Sequence, residues 1–136
     1  MVKIGTGSGK STVIPPYLIG LGYKKVVVTQ PRRLPCREIY KRICQVFGEG
    51  VAGYHVGDGS LDEKNSLVYM TDGLIKMKGI YDESVFDDID VMVIDEIHER
   101  SANIDVLLLL LYSYFLAKKR KLKLILCSAT IDTQIG

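Results

Sequence analysis

Val91-Met92-Val93-Ile94-Asp95-Glu96-Ile97-His98 is the stretch on which the reading of this chain turns. Four apolar residues in succession, without polar alternation, fit a strand buried on both faces, and such strands belong to parallel sheets covered by helices. Two carboxylates come next. Adjacent residues at a strand end point in different directions, so Asp95 and Glu96 are placed to serve two separate partners. The plainer alternative is a strand-to-helix turn in which the pair caps the next helix.

On either side of this stretch, Val26-Val27-Val28, Leu67-Val68-Tyr69-Met70 and Leu124-Ile125-Leu126-Cys127 have the same character, with Val2-Lys3-Ile4 as a shorter fifth run. Helical stretches lie between them. From Leu34 to Phe47 the residues Cys36, Ile39, Tyr40, Ile43, Val46 and Phe47 recur at three- and four-residue spacings, with Arg37, Glu38, Lys41 and Arg42 on the other face. A second helix is expected from about Asn103 to Lys118, apolar nearly all round and therefore largely buried, with Lys118 to Lys121 near the end where cations suit the helix dipole. Gly48, Gly50, Gly53, Gly57 and Gly59 are read as a looped stretch. Strands alternating with helices imply an α/β fold, a mainly parallel β-sheet flanked by helices with right-handed crossovers.

Composition narrows the function classes. The 136 residues are 47% hydrophobic and 25% charged, as in an ordinary globular domain, and one domain spanning 1–136 is expected. Eighteen basic against sixteen acidic residues leave a net charge of +2, too little for a histone-like tail, so any nucleic-acid partner is held locally. The apolar run Val106 to Tyr112 falls short of the roughly 18 residues of a membrane span, and no signal peptide or membrane partner is expected. Three cysteines, Cys36, Cys44 and Cys127, at no metal-ligand spacing point to reduced, core-packed thiols in an intracellular protein.

The functional signal lies in the polar segments that end the apolar runs. Gly5-Thr6-Gly7, Thr29-Gln30-Pro31-Arg32-Arg33, Thr71-Asp72-Gly73, Asp95-Glu96 and Ser128-Ala129-Thr130 all fall at carboxyl ends of strands. In open α/β sheets that edge is where ligands bind. Gly5-Thr6-Gly7-Ser8-Gly9-Lys10-Ser11 has the composition of a phosphate loop, in which glycines let backbone N–H groups curl around phosphate oxygens and a helix N-terminus receives the anion. Lys10 would neutralise the β- and γ-phosphates and Ser11 would coordinate Mg²⁺, while Asp95 would hold the metal and Glu96 would orient and deprotonate an attacking water.

Together these segments resemble the first RecA-like domain of the DEAH-box RNA helicases, the RNA-helicase-A-like group of superfamily two. The matching segments run in the family's order across the whole chain: Gly5 to Thr12 for motif I, Thr29 to Leu34 for motif Ia, Tyr69 to Gly73 for motif Ib, Asp95 to Arg100 for motif II and Ser128 to Thr130 for motif III. The resemblance implies a RecA-like P-loop NTPase fold that binds ATP or another NTP with Mg²⁺, the catalytic residues being Lys10, Asp95 and Glu96 and the metal residues Ser11, Asp95 and Glu96. Nucleotide contacts are implied at Gly5, Thr6, Gly7, Ser8, Gly9, Lys10, Ser11, Thr12 and Arg42, the last as an adenine-stacking arginine or else a solvated partner of Glu38. It further implies contacts to RNA, or DNA, at Arg32, Arg33 and Thr71, for which helix-entry and turn chemistry is the plainer alternative, above all at Thr71 and Asp72, and coupling to a second RecA-like domain at His98, Ser128 and Thr130.

Some positions depart from the family's pattern. Ile4 stands where motif I has its first glycine, and Val13 and Pro16 stand where glutamines are common; Pro15 and Pro16 should end or kink the phosphate-loop helix early. No arginine-finger motif comes after Ser128-Ala129-Thr130, so the 136 residues are read as one wall of a two-domain motor, truncated at both ends and little active alone. Two other readings stay open: a P-loop NTPase that is not a helicase, and an inactive interaction module with the same fold.

Overall fold

The computed structural model describes residues 2–5, 10–48, 50, 52–56, 59–61, 65–97, 101–118 and 122–128. In chain order these form β1 (Val2–Gly5), α1 (Lys10–Gly20), β2 (Val26–Gln30), α2 (Arg33–Phe47), β3 (Ala52–Val56), β4 (Gly59–Leu61), β5 (Leu67–Thr71), α3 (Asp72–Tyr81), a 3-10 turn (Glu83–Asp88), β6 (Val91–Ile94), α4 (Ala102–Lys118) and β7 (Lys123–Ser128). The strands pair into one sheet of order β1-β7-β6-β2-β5-β3-β4. Six of them run parallel and β4 returns antiparallel to β3. The expected α/β fold and all five expected strands are present.

The strands form because their residues tolerate burial on both faces. Alternate side chains enter two separate cores. Val27, Val68, Met70, Met92, Ile94, Leu124 and Leu126 pack with Ile75, Phe86, Ile104, Leu107, Leu111 and Tyr114 on the side of α3 and α4. Val26, Val28, Leu67, Tyr69, Val91, Val93, Ile125 and Cys127 pack with Cys36 and Ile43 on the side of α1 and α2. At the amino-terminal edge Asp90 ties three strands: its carboxylate accepts from the Lys24 and Lys25 N–H groups at 2.7 and 3.1 Å. Its N–H donates to the Lys25 carbonyl and its carbonyl accepts from the Lys123 N–H. The carboxyl-terminal edge is thereby left for the loops.

Four expectations are corrected by this architecture. The glycine-rich stretch is not a plain loop: it contains β3 and β4, because the Ala52–His55 backbone pairs in register with Leu67–Met70 and the neighbouring strand supplies what propensity does not. Pro15 and Pro16 lie inside α1, which continues to Gly20. Proline φ suits a helix, and Leu18 and Ile19 pack against the core beyond it, offsetting the lost backbone bonds. On α2 the stripe is buried at Cys36 and Ile43, but Val46 and Phe47 are exposed as the helix closes on Gly48, whose φ of 96° favours glycine. Helix α4 is one-sided: Ile104, Leu107, Leu111 and Tyr114 are buried, whereas Leu109, Tyr112 and Leu116 are more than 60% exposed. A helix lying on one face of a sheet has only one face to bury.

Candidate nucleotide and nucleic-acid site

Strand order brings the motif-bearing ends together. Gly5 pairs with Ser128, β7 borders β6, β6 borders β2 and β2 borders β5. The exits of five parallel strands, at Gly5, Ser128, Ile94, Gln30 and Thr71, therefore line one edge of the sheet, as expected from the sequence. Lys10 begins α1, which places Lys10, Ser11 and Thr12 in its first turn, where unpaired backbone N–H groups suit an anion. Thr6, Gly7, Ser8 and Gly9, and likewise His98 and Thr130, lie outside the described residues.

The acidic pair is built by the β2–β6 ladder. Thr29 pairs with Ile94, and the Asp95 N–H donates to the Thr29 carbonyl at 3.1 Å, so the ladder runs one residue past the strand. Gln30 and Asp95 then fall on the same face, both buried, and the Gln30 amide Nε2 donates to Asp95 Oδ2 at 2.5 Å. The other carboxylate oxygen, Oδ1, accepts the Glu96 N–H at 2.9 Å. Glu96 itself sits at φ 59°, the left-handed region that non-glycine residues seldom adopt. The chain thus turns sharply after Asp95, burying one carboxylate and leaving the other about a third exposed.

Helix α4 is capped by Ser101, its hydroxyl accepting the Ile104 N–H at 3.2 Å. A single buried, pre-oriented carboxylate on the sheet edge where β1 also ends fits Mg²⁺, which keeps several waters and takes most of its other ligands from phosphate. Among the described residues there is no cluster of three or more His, Cys, Asp or Glu side chains such as a self-sufficient metal cage would need.

Motif Ia reaches the same place from the next strand. Arg32 stands at the amino end of α2 with its side chain 65% exposed, and its guanidinium lies 3.8 Å from Glu96. Arg33 opens α2 beside it. Thr71 precedes α3, yet its hydroxyl makes no capping bond, so helix entry does not account for the side chain. Arg42 lies on the exposed face of α2, roughly 13.5 Å along the helix from Arg33, and among the described residues no ion pair joins it to Glu38.

Three residues of the site carry no role in the sequence reading. Gln30 stands within motif Ia, but its bond to Asp95 depends on β2 and β6 being neighbours. Asp72 is buried at the start of α3, where its Oδ2 accepts from the Ser101 hydroxyl at 3.1 Å and its Oδ1 has no hydrogen-bond partner among the described residues. Burial pushes the Asp72 carboxyl above its usual range, opposed by the bonds from Ser101, Gly73 and Asn103 and by the charge of Lys76. Ser101 thus joins α3 to α4, assisted by the Lys76 ammonium donating to Asn103 Oδ1 at 2.8 Å. Of the thiols, Cys36 and Cys127 are buried as expected and Cys44 is only half-buried. Burial raises the Cys36 thiol to about 12, and it donates to the Arg32 carbonyl at 3.6 Å.

A mainly parallel sheet with a glycine-rich sequence between β1 and α1 and a buried acidic strand end on the same edge defines the class of RecA-like nucleotide-binding domains. Comparison with known proteins agrees. The DEAD/DEAH box helicase family model matches residues 1–135, and the chain belongs to that family. It is 37% identical over 137 residues to the ATP-dependent RNA helicase TDRD9 of Homo sapiens, covering 93% of this chain and 10% of that one. The probable ATP-dependent RNA helicase spindle-E of Drosophila melanogaster is 34% identical over 145 residues, with 98% and 10% covered. The Escherichia coli DExH-box NTPase HrpB superposes with a TM-score of 0.87 at 30% identity, over 96% of this chain and 17% of that one. The chain thus spans about a tenth of the length of these two curated relatives.

Proposed function

We propose that this chain is the ATP-binding domain of an RNA-dependent NTPase and helicase of the DEAH type, coupling ATP hydrolysis to RNA unwinding or remodelling. The observation that carries the reading is the Asp95-Glu96 turn, with one buried carboxylate held by two donors and one half-open carboxylate beside Arg32. In it Lys10, Ser11 and the first turn of α1 bind the phosphates of ATP with Mg²⁺. Asp95 holds the metal, which when bound neutralises developing phosphate charge. Glu96 accepts the proton of the attacking water. Arg32, Arg33 and Thr71 contact the nucleic-acid backbone, where such side chains fix register without reading sequence. His98, Ser128 and Thr130 couple to a second RecA-like domain, which supplies the arginine finger. The setting is intracellular.

Because a missing arginine finger costs on the order of 10³ to 10⁵ in turnover, residues 1–136 alone bind nucleotide weakly, hydrolyse little and unwind nothing. The test is Mg²⁺-dependent ATP binding by the chain, lost in Lys10→Ala, together with salt-sensitive binding of a single-stranded oligoribonucleotide weakened in Arg32→Ala. Binding of neither ligand by a folded chain would leave the inactive interaction module as the better account. ATP binding without RNA binding would favour a P-loop NTPase outside the helicases.

A further inference from the structure

Resting on the nucleotide reading of the site, we propose that Gln30 is a positioning residue for Asp95, through which the exit of β2 sets the affinity of the site for the metal-bound nucleotide. Several observations meet at this side chain. Gln30 is 2% exposed and Asp95 7%, so their bond forms away from water, where a charge-assisted hydrogen bond is strong and an unmade one costly. The acceptor is a carboxylate, which leaves the amide NH₂ as the only group of Gln30 able to face it. Asp95 Oδ1 is held by the Glu96 N–H, so the amide and that N–H together set the carboxylate plane. Removing the amide would take a buried donor from Oδ2 and loosen the hold on the carboxylate plane.

The same turn holds the second carboxylate. Two residues after Gln30, the Arg32 guanidinium lies 3.8 Å from Glu96. Gln30-Pro31-Arg32 therefore touches both acidic side chains from one short segment, with proline fixing the backbone between them. A nucleic-acid phosphate drawing on Arg32 would pull on the segment that orients Asp95, and linkage requires that metal–nucleotide binding and nucleic-acid binding then alter one another by an equal factor.

The test is nucleotide binding by residues 1–136 with Mg²⁺ and with EDTA, with and without a single-stranded oligoribonucleotide, in the unsubstituted chain, Gln30→Met and Gln30→Glu. Methionine keeps the length and loses the donor; glutamate keeps the shape and replaces the amide donor with a second carboxyl that opposes Asp95. Outer-shell partners of metal ligands are worth roughly 10- to 100-fold in metal affinity or activity. Both variants should thus lose about tenfold of the gain that Mg²⁺ brings, and the effect of oligoribonucleotide on nucleotide affinity should disappear. Binding in EDTA, which rests on the phosphate loop, should stay within about twofold of the unsubstituted chain on the same expectation. A merely structural role would lower both modes alike, and that outcome overturns the proposal, as does an unchanged Mg²⁺ gain in Gln30→Met. If the unsubstituted chain binds no nucleotide in either buffer, the proposed function falls and this role falls with it.

Discussion

Among single residues, burial decides how each polar group behaves. Asp72 is buried with Oδ2 bonded to Ser101 and Oδ1 unpartnered among the described residues, and its carboxyl is raised above the usual range. The sign follows from linkage. A carboxyl whose pKa is higher in the folded than in the unfolded chain supports folding while protonated, and that support is lost as pH rises through the folded value. Asp72→Asn should therefore gain stability relative to the parent as pH is raised from about 4 to 7, starting from the unfolded aspartate value near 3.9. Thermal melts of the two chains across that interval measure the difference; parallel curves would mean that Asp72 ionises as freely in the fold as outside it. The thiols give a second check. Cys36, with its thiol near 12, and buried Cys127 should resist a thiol-specific reagent under native conditions, so that mass spectrometry finds Cys44 labelled first.

Elements are held by contacts that a single added or removed group disturbs. A Cβ on Gly79 would lie 2.7 Å from the Phe86 ring tip and 3.5 Å from Leu110, where α3 crosses the 3-10 turn and α4. Phe86 is fully buried and packs edge-on against Tyr114 at 5.5 Å between ring centres, so it has little room to yield. Gly79→Ala should cost about 1–3 kcal/mol by overpacking, against a helix-propensity gain of up to about 1 kcal/mol. Helix α4 offers the contrasting case. Leu107→Ala, on the buried face, should cost about 2–5 kcal/mol, whereas Leu109→Ala, 67% exposed, should stay within about 0.5 kcal/mol. Urea unfolding of the two variants shows which face of α4 is buried.

Elements also mark where the sequence is legible. Runs such as Val91–Ile94 announce themselves because a strand buried on both faces must be apolar throughout. Ala52–Val56 has no such run, and its strand exists because Leu67–Met70 offers it a ladder. The ends of α4 match the sequence expectation within a residue or so, but its exposed leucines look like core in sequence because composition does not say how many sides of a helix are covered.

For the molecule as a whole, the candidate site is an edge and belongs to no single element. Five strand ends make it, and ligand bound there is linked to the stability of the entire sheet. Saturating Mg²⁺-ATP at about 100 times its dissociation constant should stabilise the chain by about 2.7 kcal/mol, readable as a rise in melting temperature that Lys10→Ala abolishes. Away from that edge, Leu74, Met77 and Tyr81 of α3 and Val85 of the 3-10 turn line an open groove of about 630 Å³ bounded by Lys78 and Asp88.

Sequence alone settles the local matters: which runs are strands, that polar motifs come after them, and that Asp95 and Glu96 end one of them. These are properties of neighbours along the chain, set by burial and by the period of side chains on a strand. Side-by-side placement of the strand ends is tertiary. Only because β2 borders β6 does Gln30, 65 residues away in sequence, hold Asp95, and only because the chain turns to φ 59° at Glu96 does that carboxylate lie beside Arg32. Strand order results from packing two helical layers onto one sheet, a requirement of the whole chain that no single segment records.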